Sequence, residues 1–110
     1  MSPKILQVNF NFSVSKDDLG KAFADLADQF AAVPGCRWKI WMINDEKKEA
    51  GGVYLFDDQE SIDKMMNTPL IASVVSHPAL TNFTVKTFEV SESVTRITRG
   101  PIDQARAAAD

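Results

Sequence analysis

The sequence is poor in the residues that build metal and disulfide sites: it has 1 cysteine and 1 histidine in 110 residues. A lone Cys36 excludes an intrachain disulfide and any cysteine-based metal site. With His77 as the only imidazole, soft ligands are too few for a catalytic metal centre, and haem ligation would rest on that one residue. Basic residues are not in excess. Lys and Arg total 12 against 15 Asp and Glu, a net charge of −3. A chain without a basic stripe is unsuited to nucleic acid or to an anionic membrane surface. No apolar run approaches the roughly 18 residues of a membrane span. Met1-Ser2-Pro3-Lys4 leads straight into a strand pattern, without a signal peptide's apolar region. There is no Gly-rich phosphate loop, no dinucleotide fingerprint and no recognisable serine–histidine–acid spacing. These absences point to a soluble cytoplasmic protein and give no support to a metal centre or a bound dinucleotide.

What is present suits one small globular domain. The apolar fraction is 45% and the charged fraction 25%, which argues against disorder. A chain of this length hides only about two-thirds of its unfolded surface. It can bury one sheet face under helices, and a second apolar face has to be covered by a partner chain.

The aromatic residues that stand out lie in residues 34–58, which hold both tryptophans, the only tyrosine and a Gly-Gly pair. This stretch reads as a hairpin. One strand covers about Cys36–Ile43 and another about Gly51–Phe56, joined by the charged turn Asn44–Glu49. Trp38, Ile40 and Met42 share one face of the first strand; Arg37, Lys39, Trp41 and Ile43 share the other. Trp38 is assigned to the packing against helices. In the second strand Val53 and Leu55 oppose Tyr54 and Phe56. Gly51-Gly52 reads as a bulge or a close approach to the backbone, or more simply as a hairpin's need for unusual dihedrals.

The opening strand, residues 4–12, alternates as well. Leu6, Val8, Phe10 and Phe12 point one way; Ile5, Gln7, Asn9 and Asn11 point the other. Asparagine is depleted in strands. Three amides on one face fit a half-buried polar cavity, and a solvated amide-rich face fits equally. Ser15-Lys-Asp-Asp18 resembles a capping box and starts a helix to about Ala32. Leu19, Phe23, Leu26, Phe30 and Val33 form its apolar stripe, and Pro34-Gly35 stops it. Asp57 or Asp58 caps a second helix to about Asn67, and Pro69 opens a short third one ending near His77-Pro78. A fourth strand is expected at 83–90. Ser91 or Ser93 caps a last helical turn through Ile97. Residues 1–99 make the domain and 100–110 an Ala-rich tail that frays or docks on a partner.

The order strand–helix–strand–strand–helix–strand is the ferredoxin-like βαββαβ arrangement, an α+β fold whose antiparallel sheet has helices on one face. The strand phases put Trp41, Tyr54 or Phe56, Phe88 and the amides on the uncovered face. A two-fold dimer closing two sheets together would bury it.

At Trp38-Lys-Ile-Trp41 and Glu49-Ala-Gly-Gly-Val-Tyr-Leu-Phe-Asp57 the chain resembles the YdhR-type monooxygenase family. The likeness extends to Leu6-Gln7, to Pro34-Gly35 and to Val85, Lys86 and Phe88, and covers about residues 4–97. The resemblance implies a dimeric α+β barrel with a small-molecule pocket. It implies, more weakly, cofactor-independent monooxygenation of a small aromatic or polyketide-like compound by molecular oxygen. The tail after Gly100 has no counterpart in it.

Such chemistry needs an electron-rich substrate anion, a base and shielding from water. The candidate catalytic residues are His77, Lys39 and Asn9. His77 is the obvious lone base, though it precedes a proline in a surface loop. Lys39 would pair with a phenolate, or act as base if burial lowers its pKa, or simply reach to solvent. Asn9 and Asn11 would hold an oxyanion or bond a partner chain. Asn11, Trp41, Tyr54 and Phe56 are the candidate substrate-binding residues, the rings stacking on a flat ligand. Trp41 suits a dimer interface as well as a pocket wall. The alternative is a non-catalytic barrel that binds a small aromatic ligand as a homodimer.

Overall fold

The computed structural model describes residues 2–103. The elements are β1 (Lys4–Phe12), α1 (Lys16–Ala31), β2 (Cys36–Asn44), β3 (Glu49–Phe56), α2 (Gln59–Met66), α3 (Pro69–Val75), β4 (Leu80–Glu89) and α4 (Glu92–Ile97). The four strands form one antiparallel sheet in the order β2-β3-β1-β4. This is the expected ferredoxin-like fold, with α2 and α3 together in the place of its second helix.

Local chemistry sets the boundaries. The Ser15 hydroxyl accepts from the Asp18 amide at 3.1 Å and caps α1. The helix ends before Gly35, whose φ of +80° suits a residue without a side chain. The Asp58 carboxylate accepts from the Ser61 amide at 2.8 Å and caps α2; these bonds hold its carboxyl below the usual range. Pro69 sits in the first turn of α3, where its missing N–H costs nothing. β4 begins at Leu80, three residues earlier than its hydrophobic alternation suggests.

The register decides which face is covered. Leu6 lies opposite Tyr54, Tyr54 opposite Lys39, and Gly52 opposite Trp41. Antiparallel partners share a face, so Lys39, Trp41, Tyr54 and Phe56 join Leu6, Val8 and Phe10 beneath the helices. This corrects the expectation that Trp41 and Tyr54 lie on the uncovered face. Trp38 is also reassigned. It pairs with Leu55 on the uncovered side, after an irregularity between Cys36 and Trp38. Leu6 and Phe56 are fully buried and pack with Phe30, Val33, Ile62 and Met65 into the main core. A second cluster joins Phe10, Phe12, Leu19 and Ala50.

The chain stays attached beyond residue 99. Arg37 Nη1 donates to the Ile102 carbonyl at 2.6 Å, and its Nε to Asp57 at 2.6 Å. The Trp38 indole N–H donates to the Pro101 carbonyl at 2.9 Å, and Ile102 is buried. Asp103 pairs with Arg96 on α4. The start of the expected tail is therefore part of the packed domain, while residues 104–110 lie outside the described residues. No helix among the described residues is long and apolar enough to cross a membrane.

Candidate functional site

A cavity of about 480 Å³ opens between the covered sheet face and the helices. Its size falls within the range of about 300–1,000 Å³ typical of small-molecule pockets. Val8, Phe10, Lys39, Trp41, Gly52 and Tyr54 form the sheet wall. The α1 stripe supplies Leu19, Phe23, Leu26 and Phe30, with Asp18 and Asp25 beside them. Ile71 and Val74 on α3, His77 after it, and Phe83 and Val85 on β4 complete the lining.

The walls are mostly apolar, and Lys39 is the exception on the sheet side. Its Nζ lies 3.4 Å from the Phe30 ring centroid, 3.4 Å from that of Trp41 and 4.7 Å from that of Tyr54. The rings brace one another. Phe30 meets Trp41 edge-on at 5.4 Å, Phe23 tilts against Trp41 at 4.6 Å, and Tyr54 stacks on Phe56 at 5.9 Å. Among the described residues the amine has neither a hydrogen-bond acceptor nor a carboxylate partner. Ring faces return about 2 kcal/mol to a desolvated cation, less than burial removes. Burial draws Lys39 from 10.5 down to about 7, partly offset by Cys36 on the same strand. Near neutral pH a large share of Lys39 is therefore the free amine. Burial also holds Tyr54 in its protonated form, well above the usual tyrosine range, with Cys36 adding to the effect. The Tyr54 hydroxyl has no hydrogen-bond partner among the described residues.

Glycine makes room for this arrangement. A Cβ on Gly52 would stand 2.8 Å from Lys39 Cε and 3.3 Å from a Tyr54 ring carbon. One on Gly51 would run into the Val8 carbonyl. Neither glycine has a positive φ. Close approach, not unusual dihedrals, is what the Gly-Gly pair serves.

The residues singled out from sequence divide in three. Lys39, Trp41, Tyr54 and His77 meet at the cavity. Phe56 does not line it; fully buried, it backs Tyr54. Asn9 and Asn11 are on the opposite sheet face. There Gln7 donates to Asn9 at 3.0 Å, Asn9 donates to Glu49 at 3.2 Å, and Asn82 donates to Asn11 at 3.0 Å. The amides thus bond one another and their neighbours on a face away from the cavity. His77 Nδ1 accepts from the Ala79 amide at 3.1 Å. That bond occupies the Nδ1 lone pair and leaves the neutral ring's proton on Nε2. Phe23, Phe30 and Gly52 were not foreseen as site residues. The α1 stripe carried the signal for the two rings, because it had to face whichever side of the sheet bears Leu6.

Among the described residues no group of three or more His, Cys, Asp or Glu side chains is placed to hold a metal ion.

The fold recurs in solved structures. The chain is similar to SnoaB, described as a cofactor-independent oxygenase from Streptomyces nogalater, with a TM-score of 0.70 at 14% identity over 86% of this chain and 98% of that one. It is similar to a Shewanella oneidensis protein, with a TM-score of 0.67 at 18% identity over 81% and 91%. It is also similar to MhuD, a heme-degrader from Mycobacterium tuberculosis with two hemes in its active site, with a TM-score of 0.62 at 22% identity over 79% and 95%. At these identities the likeness concerns the fold alone. No curated protein matches the sequence. The family described as "Putative mono-oxygenase ydhR" matches residues 5–101, and the chain belongs to that family.

Proposed function

We propose that the protein is a cytoplasmic, homodimeric, cofactor-independent monooxygenase acting on a small electron-rich aromatic compound. The observation that carries this reading is the Lys39 amine, poised near pH 7 inside an aromatic cavity. A neutral amine there can take a proton from a phenol or an acidified C–H. The resulting ammonium pairs with the anion it has made, and the apolar walls strengthen that pairing. An electron then passes from the carbanion to oxygen, and recombination gives a peroxide on carbon. The Lys39 ammonium returns a proton to the peroxide. Loss of water, with removal of a second C–H proton, converts a CH₂ group to C=O; one oxygen atom enters the product and the other leaves as water. Trp41 and Phe30 hold the flat ring. The Tyr54 hydroxyl and His77 Nε2–H are donors for the developing charge.

The dimer has its own support. Ile40 and Phe88, on the sheet face away from the helices, are 54% and 47% exposed. Closing two such faces together removes that apolar surface from water.

Oxygen uptake with an electron-rich hydroxynaphthalene, without added metal or flavin, tests the reading. The expected result is uptake that falls by about 10²-fold or more in Lys39→Met. Quenching of tryptophan fluorescence by the same compound with no uptake would instead establish the binding protein.

A further inference from the structure

We propose that Lys39 also captures carbonyl compounds covalently, its amine condensing with a small aromatic aldehyde or ketone held in the cavity to form a Schiff base. The proposal rests on the cavity being a small-molecule site and is independent of oxygen chemistry. The first support is the isolation of the amine. Among the described residues nothing bonds to Nζ, while the other lysines are ion-paired or stand exposed to water. A buried lysine without a carboxylate is the usual setting for an amine nucleophile. The second support is the surroundings. Nζ sits against the faces of Phe30 and Trp41, where a planar carbonyl compound would stack, and the Tyr54 ring centroid is 4.7 Å away. The Tyr54 hydroxyl has no other partner among the described residues and is kept protonated by burial, so it can donate to a carbonyl oxygen. The third is space. Gly52 leaves free the volume that a Cβ would take from Lys39 Cε.

The chemistry balances without a redox partner. The Nζ lone pair forms a bond to the carbonyl carbon as the C=O π pair moves to oxygen. That oxygen takes a proton and nitrogen loses one, giving a carbinolamine. A second proton reaches the hydroxyl, which leaves as water while the nitrogen lone pair closes the C=N bond. Apolar walls slow the return of water and so protect the imine. Other ionisable groups on the cavity are Asp18 and Asp25 on α1, Tyr54 on β3 and His77 after α3, while Cys36 acts on Lys39 from within β2.

Benzaldehyde with sodium cyanoborohydride, applied to the intact protein, traps any imine as a stable secondary amine. Peptide mapping then locates it. The expected outcome is modification at Lys39 about tenfold or more faster than at the average exposed lysine at pH 7, with the advantage shrinking toward pH 10 as exposed lysines lose their protons. Lys39→Arg should lose the fast phase. Label spread evenly over the lysines, or a fast phase that survives in Lys39→Arg, overturns the proposal. The mapping in the unsubstituted protein decides the question even where the variant misfolds. Benzyl alcohol, which cannot condense, separates the two levels. Tryptophan quenching by benzyl alcohol without trapping of benzaldehyde rejects the Schiff base and keeps the cavity as a ligand site. Neither quenching nor trapping rejects both.

Discussion

Lys39 and Trp41 stand two residues apart on β2, and the amine of one lies 3.4 Å above the ring of the other. Period-two geometry puts them on one face, and the register with Gly52 and Tyr54 turns that face toward α1. The same alternation that would let a surface lysine reach water here presses its charge against Phe30 and Trp41. An amine in that position is a poor cation, present in large part as the free base near neutral pH, and the functional proposals follow from it.

The two glycines of β3 should respond differently to a methyl group. In Gly52→Ala the new Cβ meets the flexible end of Lys39. The amine must move, while the fold should lose only about 1 kcal/mol or less. Ligand affinity and turnover should fall with little change in melting temperature. In Gly51→Ala the Cβ meets the Val8 carbonyl, a backbone atom held in the sheet. That variant should be destabilised by about 2–4 kcal/mol. Paired thermal melts and tryptophan-quenching titrations check both expectations.

Trp41→Ala should abolish or sharply weaken aromatic ligand binding and leave the oligomeric state unchanged. Trp41 lies beneath the helices against Phe23 and Phe30, away from the proposed dimer face. Ile40→Asp, on the uncovered face, should do the reverse and yield monomers. Light scattering on the two variants checks the assignment of faces; monomeric Trp41→Ala would contradict it.

Folding stability should rise from about pH 7 toward pH 10. Lys39 titrates near 7 when folded and at its ordinary 10.5 when unfolded. Between those values the unfolded chain holds a proton that the folded chain lacks, so raising the pH favours folding, by at most about 1.4 kcal/mol per pH unit. Below about pH 7 both states are protonated and the cost of burying the charge is present in full. Tyr54 acts in the opposite direction above its ordinary 10.0, where the unfolded chain ionises first. Urea unfolding across this range should show the rise, and Lys39→Met should flatten it.

Arg37→Ala should loosen the segment after α4. It removes the donor to the Ile102 carbonyl and the partner of Asp57. A loss of about 1–3 kcal/mol is expected, with faster amide exchange at residues 100–103 and little effect on the cavity. Hydrogen exchange followed by mass spectrometry measures this directly.

Much of the fold was legible because its signals are local. The period of Leu6, Val8, Phe10 and Phe12, the Ser15 cap, the α1 stripe and Pro69 each act within a few residues. The orientation of the hairpin was not. β2 carries a tryptophan on each face, so alternation separates Trp38 from Trp41 without saying which goes inside. Only pairing settles it, through Leu6 opposite Tyr54 and Tyr54 opposite Lys39. Lys39, Trp41 and Tyr54 were therefore recognised as a group but set on the wrong side of the sheet, together with amides that belong to the other face. The role of the Gly-Gly pair was hidden for the same reason, because the atoms it makes room for come from β1 and β2. His77 stood out as the sole imidazole, but the Ala79 amide that occupies its Nδ1 is a feature of the folded loop.

The most direct test of the oxygenase reading is the fate of oxygen-18 gas. Protein treated with chelator and free of flavin would turn over an electron-rich hydroxynaphthalene under labelled oxygen, followed by mass spectrometry of the product. The expected result is one labelled oxygen atom in the product, at a rate that Lys39→Met greatly reduces. Product oxygen drawn from water, or turnover that disappears with the chelated metal, would contradict it.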